Sequence, residues 1–260
     1  MDYECLRVER RERVMHIELH RPAVMNAVSI RMHEELEHAF DTFAADDALF
    51  LAVVSGAGDR AFCAGSDLKE RAEVGRAPCP PHGYAGLVER FDLAKPVIAA
   101  VQGICLGGGF ELALACDLIL ASESAVFGLP EPRVGAVALG GGLHRLARQI
   151  GLKQAMGMVL AARRVSAAEG ERLGFVNEVV PDGELDAAVE RWCGELLQGA
   201  PLSLRASKEA MLRGLDEPSL ADALARQGDY PAFARWRGAE DTVEGPRAFA
   251  EKRPPVWRGR

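Results

Sequence analysis

Alternating apolar and polar residues mark the first regular element, at residues 15–19. Met15, Ile17 and Leu19 are apolar and the residues between them are polar, and this period of two predicts a strand with one buried face. Ser29 then precedes an apolar stripe at three- and four-residue spacing, so it is predicted to cap a helix. That stripe consists of Met32, Leu36, Phe40 and Phe43.

Short, wholly apolar runs predict buried strands further along the chain. They lie at residues 50–54, 96–101 and 118–121, and a helical run at 110–116 separates the last two. Strands that alternate with helices predict an α/β protein whose parallel strands are covered on both faces. Residues 71–86, which contain Pro78, Pro80 and Pro81, are predicted to form a mobile loop.

Helical patterns dominate from residue 166 onward. The predicted helices are 166–173, 185–197, 203–215, 220–227 and 244–252. Pro246 is placed in the first turn of the last helix, where proline is tolerated. Only residues 175–180 look strand-like in this part of the chain.

Composition and charge restrict the domain organisation and the kinds of partner that are expected. A chain of 260 residues with 48% hydrophobic and 27% charged residues predicts one large domain, or one domain with an appendage. The net charge of −7 argues against nucleic acid as a partner. Residues 245–260 are locally basic, with Arg247, Lys252, Arg253, Arg258 and Arg260 against Glu251 alone. Both a phosphate site and a solvated basic segment fit that pattern.

Cysteine and histidine spacing argues against metal and disulfide chemistry. The six cysteines contain no C-x-x-C pair and are predicted to be reduced core residues; they are Cys5, Cys63, Cys79, Cys105, Cys116 and Cys193. The six histidines show none of the usual zinc spacings, so no metal is expected. No continuous apolar stretch suggests a secretion signal or a membrane span, and a cytoplasmic protein is expected.

A glycine-rich turn joins a buried strand to a helix at Gly107, Gly108 and Gly109. Free backbone N–H groups and the helix dipole converge at such a turn. Three interpretations stay open: a tight turn, a dinucleotide site, or an anion hole for a reacting oxygen. No tyrosine has a lysine four residues later, which disfavours a nicotinamide dehydrogenase.

Two glutamates and one serine stand out as candidate functional residues. Glu111 lies in an apolar helix start, where a carboxylate is costly unless it has partners or a catalytic role. Glu131 lies between two prolines that are predicted to hold the backbone extended, which would suit a positioned acid or base. Ser66 has no G-x-S-x-G context, so it is interpreted as a turn hydroxyl and not a nucleophile.

These motifs, in this order, resemble the crotonase (enoyl-CoA hydratase/isomerase) superfamily over nearly the whole chain. The matching segments are Arg21-Pro22 with Asn26-Ala27, residues 61–69, Gly107 to Gly109 with Glu111, Pro130-Glu131, Gly141-Gly142 with Arg145-Leu146, and residues 248–253. The resemblance implies a ClpP-like spiral of ββα units over residues 1–200, with the CoA-binding and active site. It also implies a helical region over residues 201–260 that builds a trimer or a dimer of trimers.

The resemblance further implies an acyl-CoA thioester substrate and no separate cofactor, because coenzyme A is part of the substrate. The N–H groups of Ser66 and Gly108 would form an oxyanion hole, where fixed dipoles stabilise an enolate-like oxygen. Glu111 would deprotonate the water that attacks C3, and Glu131 would exchange the proton at C2. The residues implied to bind CoA or substrate are Val24, Ala64, Ser66, Asp67, Leu68, Gly107, Phe249 and Lys252.

The activity implied is that of an enoyl-CoA hydratase, which adds water reversibly and syn to a 2-enoyl-CoA. A carnitinyl-CoA dehydratase stays open as an alternative, because residues 244–260 look similar to that group. An isomerase with one working glutamate and a catalytically silent acyl-CoA-binding protein are disfavoured by the two glutamates. Departures from the family pattern at Ala138-Leu139 and Leu143-His144 are predicted to reshape the acyl pocket.

Overall fold

The computed structural model describes residues 1–75 and 79–260, which form two sheets and the helices around them. The strands are β1 (Leu6–Arg11), β2 (Val14–Leu19), β3 (Leu51–Gly56), β4 (Ala61–Cys63), β5 (Val97–Val101), β6 (Ile104–Leu106), β7 (Leu118–Ser122), β8 (Val126–Gly128), β9 (Arg164–Ser166) and β10 (Glu178–Val180). One sheet has the order β1-β2-β3-β5-β7-β10 and the other has the order β4-β6-β8-β9.

The helices follow the strands and cover the sheets. They are α1 (Ile30–Ala45), α2 (Leu68–Val74), α3 (Gly108–Ala115), α4 (Gly142–Ile150), α5 (Leu152–Leu160), α6 (Ala167–Leu173), α7 (Leu185–Leu197), α8 (Pro201–Gly214), α9 (Leu220–Arg226), α10 (Pro231–Arg237) and α11 (Asp241–Ala250). Short 3-10 turns lie at Pro22–Val24, Tyr84–Gly86, Glu131–Val134 and Gln227–Asp229.

The two strands of each successive pair belong to different sheets. In β3-β4, β5-β6 and β7-β8, the first strand joins the larger sheet and the second joins the smaller one. β4, β6 and β8 are parallel neighbours, so the segments that follow them leave the smaller sheet at one edge. The predicted ββα repeat is therefore present, and it brings residues about 20–40 positions apart in sequence to the same edge.

Helix α1 forms as its sequence pattern predicts. The Ser29 Oγ accepts a hydrogen bond of 3.2 Å from the Met32 N–H, which caps the helix. The four residues of the apolar stripe are fully buried in the main core. The stripe therefore fastens α1 to the sheet, since burial of such side chains contributes ~1.5–3 kcal/mol each.

The structure corrects three predictions of backbone conformation. Residues 68–74 form α2, because the Asp67 side chain accepts a hydrogen bond from the Glu70 N–H and caps this helix. The loop predicted at residues 71–86 is therefore shorter than expected. Pro78, which belongs to the predicted loop, lies outside the described residues. Glu131 opens a 3-10 turn and is not extended. Pro246 lies inside α11 because that helix begins at Asp241. Helices α4, α5 and α10 were not predicted.

Burial also departs from the sequence prediction at one cysteine. Cys79 is exposed, while the other five cysteines are buried as expected. Within the described part of the chain, no helix is long and apolar enough to cross a membrane. The C-terminal third is mainly helical, as predicted; its role in assembly and the domain boundary at residue 200 stay predictions.

Candidate active site

Two glycine turns meet at the common edge of the smaller sheet. Gly65 follows β4 with φ +100° and Gly107 follows β6 with φ +54°, and both values favour glycine. A Cβ on Gly65 would lie 3.0 Å from the Leu106 carbonyl oxygen and 3.3 Å from the Gly108 nitrogen. A side chain at Gly65 would therefore be strained by the positive φ and would require the facing backbone to shift by a few tenths of an ångström.

This approach places the residues Ser66 and Gly108 side by side. Gly108 is the first residue of α3, so its N–H has no acceptor within the helix. Among the described residues, no acceptor is found for the N–H of Ser66 or of Gly108. Two unsatisfied N–H donors in adjoining turns are suited to hold an electronegative oxygen.

Glu131 comes to the same edge from the end of β8. A Cβ on Gly107 would lie 3.0 Å from the Glu131 Oε1, so the carboxyl group lies against the second glycine turn. Its Oε2 is buried without a hydrogen-bond partner among the described residues. Burial raises the pKa of this carboxyl group above its ordinary value. Glu131 therefore offers an unpartnered acceptor beside the two N–H groups.

Glu111 lies one helical turn into α3 and is only 3% exposed. Its Oε1 accepts a hydrogen bond of 2.9 Å from the Gly142 N–H at the start of α4. Burial raises the pKa of Glu111 to about 7, and the charge of Glu131 adds to the rise, while the hydrogen bond from Gly142 opposes it. The carboxyl group therefore changes protonation close to neutral pH.

The other residues predicted to bind CoA or substrate fall into two groups, one that adjoins this cluster and one that makes no contact with it. Ala64 and Asp67 flank Ser66; the Ala64 N–H donates to the Met25 carbonyl oxygen, and Asp67 pairs with Arg21 at 3.0 Å. Val24 and Leu68 are exposed; Val24 precedes Met25, which accepts from Ala64, and Leu68 follows Asp67. Phe249, which is 87% exposed, lies in the last turn of α11, and Lys252 lies just after that helix. No contact in the described chain joins them to the cluster.

Sequence reasoning missed Tyr84, which packs on both glycine turns. Its hydroxyl group lies 3.1 Å from the Ser66 Oγ, and a Cβ on Gly108 would collide with its ring and hydroxyl. Such a contact between distant segments leaves no local pattern. The glycines at positions 83 and 86, both with positive φ, are a sequence signal that the backbone of this loop turns tightly.

Two other features bear on the predicted chemistry. Of the departures from the family pattern, Ala138 is buried, Leu143 packs against the core, and Leu139 and His144 are exposed; their effect on an acyl pocket stays a prediction. One trio of metal-ligand types, Glu37, Asp41 and His82, occurs in the described chain. Its members already pair with each other or with Arg90.

Solved structures of known proteins share this architecture. An enoyl-CoA hydratase from Mycobacterium tuberculosis H37Rv is 36% identical with a TM-score of 0.92, covering 98% of this chain and 99% of that one. The enoyl-CoA hydratase EchA1 from Mycobacterium marinum is 38% identical with a TM-score of 0.92 and the same coverage. The fold is therefore the crotonase fold, as predicted.

Sequence comparison narrows the class to a family. Residues 9–260 match the family model described as enoyl-CoA hydratase/isomerase. The carnitinyl-CoA dehydratase of Proteus mirabilis (strain HI4320) is 42% identical over 262 aligned positions, which cover 99% of each chain. The chain belongs to the enoyl-CoA hydratase/isomerase family, and the prediction of an enzyme of the hydro-lyase type is confirmed.

Proposed function

We propose that this protein adds water reversibly across the C2–C3 double bond of a 2-enoyl-CoA thioester. One arrangement carries the proposal: two unsatisfied N–H groups, of Ser66 and Gly108, lie beside the buried Glu111 and the partly buried Glu131, whose carboxyl groups have raised pKa values. Hydration at C3 pushes negative charge onto the thioester oxygen. The N–H groups stabilise that charge as it forms, and each such donor is worth ~10²–10³ in rate.

The two carboxyl groups supply the proton transfers. Glu111, held by the Gly142 N–H, takes a proton from the water that attacks C3. Glu131, with its unpartnered Oε2, exchanges the proton at C2. Raised pKa values suit groups that give and take protons near neutral pH. Coenzyme A enters as part of the substrate, and the mechanism requires no separate cofactor.

A carnitinyl-CoA dehydratase activity is the second candidate. It is supported by the 42% identity with the Proteus mirabilis enzyme of that name over almost the full length of both chains. The two candidates share the chemistry of water addition and removal, so they differ in the acyl group. The four positions that depart from the family pattern, residues 138–139 and 143–144, are the natural place for such a difference.

A panel of thioesters tests the proposal and separates the candidates. Crotonyl-, long-chain enoyl- and crotonobetainyl-CoA would be assayed by the loss of the conjugated-thioester absorbance on addition of water. Turnover of crotonyl-CoA as the best substrate supports the enoyl-CoA hydratase, and turnover of crotonobetainyl-CoA alone supports the second candidate. If none of the three is hydrated, the proposed function is wrong.

We further propose that the active enzyme is a homo-oligomer. Exposed apolar side chains on α8, α9 and the segment between them support this, because a surface of this kind is typical of an interface. They are Met211, Leu212, Leu215, Leu220 and Leu224. The exposed Phe249 and Lys252 would then contact the nucleotide end of a CoA bound mainly by a neighbouring subunit.

Lys252→Glu is expected to raise KM for crotonyl-CoA by ~10-fold or more with little change in kcat. The lysine would contribute binding that is equal in the ground and transition states. Initial rates over a range of thioester concentrations measure both constants. Lys153→Glu, at an exposed position of α5, is the matched control and should change neither. A fall in kcat with an unchanged KM would contradict the assignment of Lys252.

Glu111→Gln is expected to remove a pH dependence of stability. Unfolded Glu111 loses its proton near its ordinary pKa of 4.5, whereas the folded carboxyl group keeps it to about 7. Its contribution to the free energy of unfolding is therefore present below pH 4.5 and is lost as the pH rises through 7, an effect of about 3 kcal/mol.

Urea unfolding of the wild type and of Glu111→Gln at pH 5 and pH 8, at one protein concentration, measures this effect. The wild type should lose stability relative to the variant at the higher pH. Glu123→Gln, at an exposed carboxylate, is the control and should track the wild type. A constant difference between wild type and Glu111→Gln would show that burial does not perturb this carboxyl group.

A further inference from the structure

Tyr84 lies where the two glycine turns meet, although it comes from a different loop. Its side chain is largely buried, with 9% of the residue exposed. The hydroxyl group is 3.1 Å from the Ser66 Oγ, and its ring end occupies the space that a side chain on Gly108 would need. One phenol therefore touches both residues whose N–H groups face the proposed thioester-oxygen site.

A polar stripe on α1 fixes the loop that carries Tyr84. His33, Glu37 and Asp41 are four residues apart on the helix and therefore share one face. The His33 Nδ1 accepts from the Ala85 N–H at 2.9 Å, Glu37 pairs with His82, and Asp41 pairs with Arg90 at 2.8 Å. The loop is thus fastened at three points around the tyrosine.

The same stripe orients the aromatic ring itself. The His33 ring meets the Tyr84 ring edge to face, with 4.6 Å between the centroids and an angle of 88°. Burial lowers the pKa of His33 to about 4, so the imidazole is neutral and its Nδ1 stays an acceptor for the Ala85 N–H at neutral pH. Pre-oriented groups of this kind act without reorganisation during reaction.

The phenol keeps its proton in this position. Burial raises the pKa of Tyr84 well above its ordinary value, and the charges of Cys63 and Glu111 in their ionised forms would raise it further, while the hydrogen bond to Ser66 opposes the rise. A neutral phenol has one proton to donate and can also accept. When the Ser66 hydroxyl donates to the Tyr84 oxygen, the phenolic proton is left for a ligand.

We propose that Tyr84 is a third hydrogen-bond donor to the thioester oxygen, beside the N–H groups of Ser66 and Gly108. The inference rests on the proposed function, because it assigns a residue to the same oxygen. As the enolate-like charge forms, the phenol donates to it and the Ser66 hydroxyl steadies the phenol. A donor that meets charge in the transition state contributes to kcat more than to KM.

Tyr84→Phe isolates the hydroxyl group because it keeps the ring that packs on Gly108 and His33. The variant should lower kcat for crotonyl-CoA hydration by ~10–10²-fold, the usual worth of a hydrogen bond to a charged group, with KM within about twofold. Acetoacetyl-CoA is a second probe, because its enolate absorbs ultraviolet light and mimics the charged oxygen. The pKa of the bound probe should rise by about one unit in the variant.

Tyr230→Phe is the matched control, since Tyr230 is a buried tyrosine whose hydroxyl bonds to Glu217 at 3.3 Å. It should change neither kcat nor the ionisation of the probe. Ser66→Ala keeps the backbone N–H and removes the hydroxyl that steadies the phenol, so it should lower kcat less than Tyr84→Phe does.

The outcomes separate the two proposals. If the wild type hydrates no enoyl-CoA and does not promote ionisation of acetoacetyl-CoA, the proposed function fails and the role of Tyr84 fails with it. If the wild type does both and Tyr84→Phe matches it, only the role of Tyr84 is overturned. A variant that is merely less stable, with unchanged kcat and probe pKa, would make Tyr84 a packing residue and overturn the proposal as well.

Discussion

Glu131→Gln is expected to lower the turnover of enoyl-CoA by ~10²–10⁴, the usual worth of a general acid–base group. The amide keeps the volume of the carboxyl group but cannot carry the C2 proton. The wild-type Oε2 has no partner among the described residues and burial raises the pKa of the group, so removal of the carboxyl group breaks no hydrogen bond of Oε2. The fold and the affinity for CoA should be nearly unchanged.

The measurement pairs hydration rates with calorimetric binding of the hydrated product. Glu184→Gln, at an exposed carboxylate, controls for the loss of one negative charge. Hydration that stays within about threefold of the wild type would remove Glu131 from the mechanism, because so small a change in kcat/KM corresponds to less than ~1 kcal/mol of transition-state stabilisation.

Gly108→Pro is expected to lower hydration by at least ~10² by deleting one donor to the thioester oxygen. Proline is suited to the first residue of a helix, and Gly108 is the first residue of α3. A Cβ at this position would, however, collide with Tyr84. The crowding at this position therefore comes from a side chain of the protein itself, whether or not a thioester is bound.

Because a Cβ at position 108 collides with Tyr84, the loss of the Gly108 N–H must be measured in a variant that lacks the Tyr84 side chain. Gly108→Ala and Gly108→Pro are compared in a Tyr84→Ala background, where the space for a Cβ is open. Both variants carry the same crowding at Cβ, and only the proline lacks the N–H. Circular dichroism verifies folding, calorimetry gives product affinity, and thioester absorbance gives kcat. A folded proline variant with the kcat of the alanine variant would refute the assignment of Gly108.

Local patterns predicted the elements whose burial is periodic. The stripe after Ser29 specified α1, because burial repeats with the helical period, and the wholly apolar run at residues 96–101 specified β5 (Val97–Val101), because a strand covered on both faces is buried at every position. The glycine turn at residues 107–109 and the acid Glu111 in its apolar helix indicated the site. A glycine run and a buried charge both cost free energy, so each is expected to have a structural or functional role.

Features set by contacts between distant segments could not be predicted in this way. Two prolines around Glu131 fit an extended segment and a 3-10 turn equally well, and the tertiary structure selects the turn. The helix cap at Asp67 was not predicted, because the prolines that follow α2 favoured a loop. Tyr84 looked like an ordinary loop residue, because its contacts with Ser66 and Gly108 depend on how three segments are folded together.

The hydrogen bond between Glu111 and the Gly142 N–H has a consequence for synthesis of the chain. The two residues are 31 positions apart, so ribosomes need roughly 2–6 s to add the partner at the usual rate of synthesis. During that interval the carboxyl group, already placed in an apolar helix, lacks its donor. The reaction centre is therefore complete only after the start of α4, which follows both glycine turns in the chain, has been synthesised.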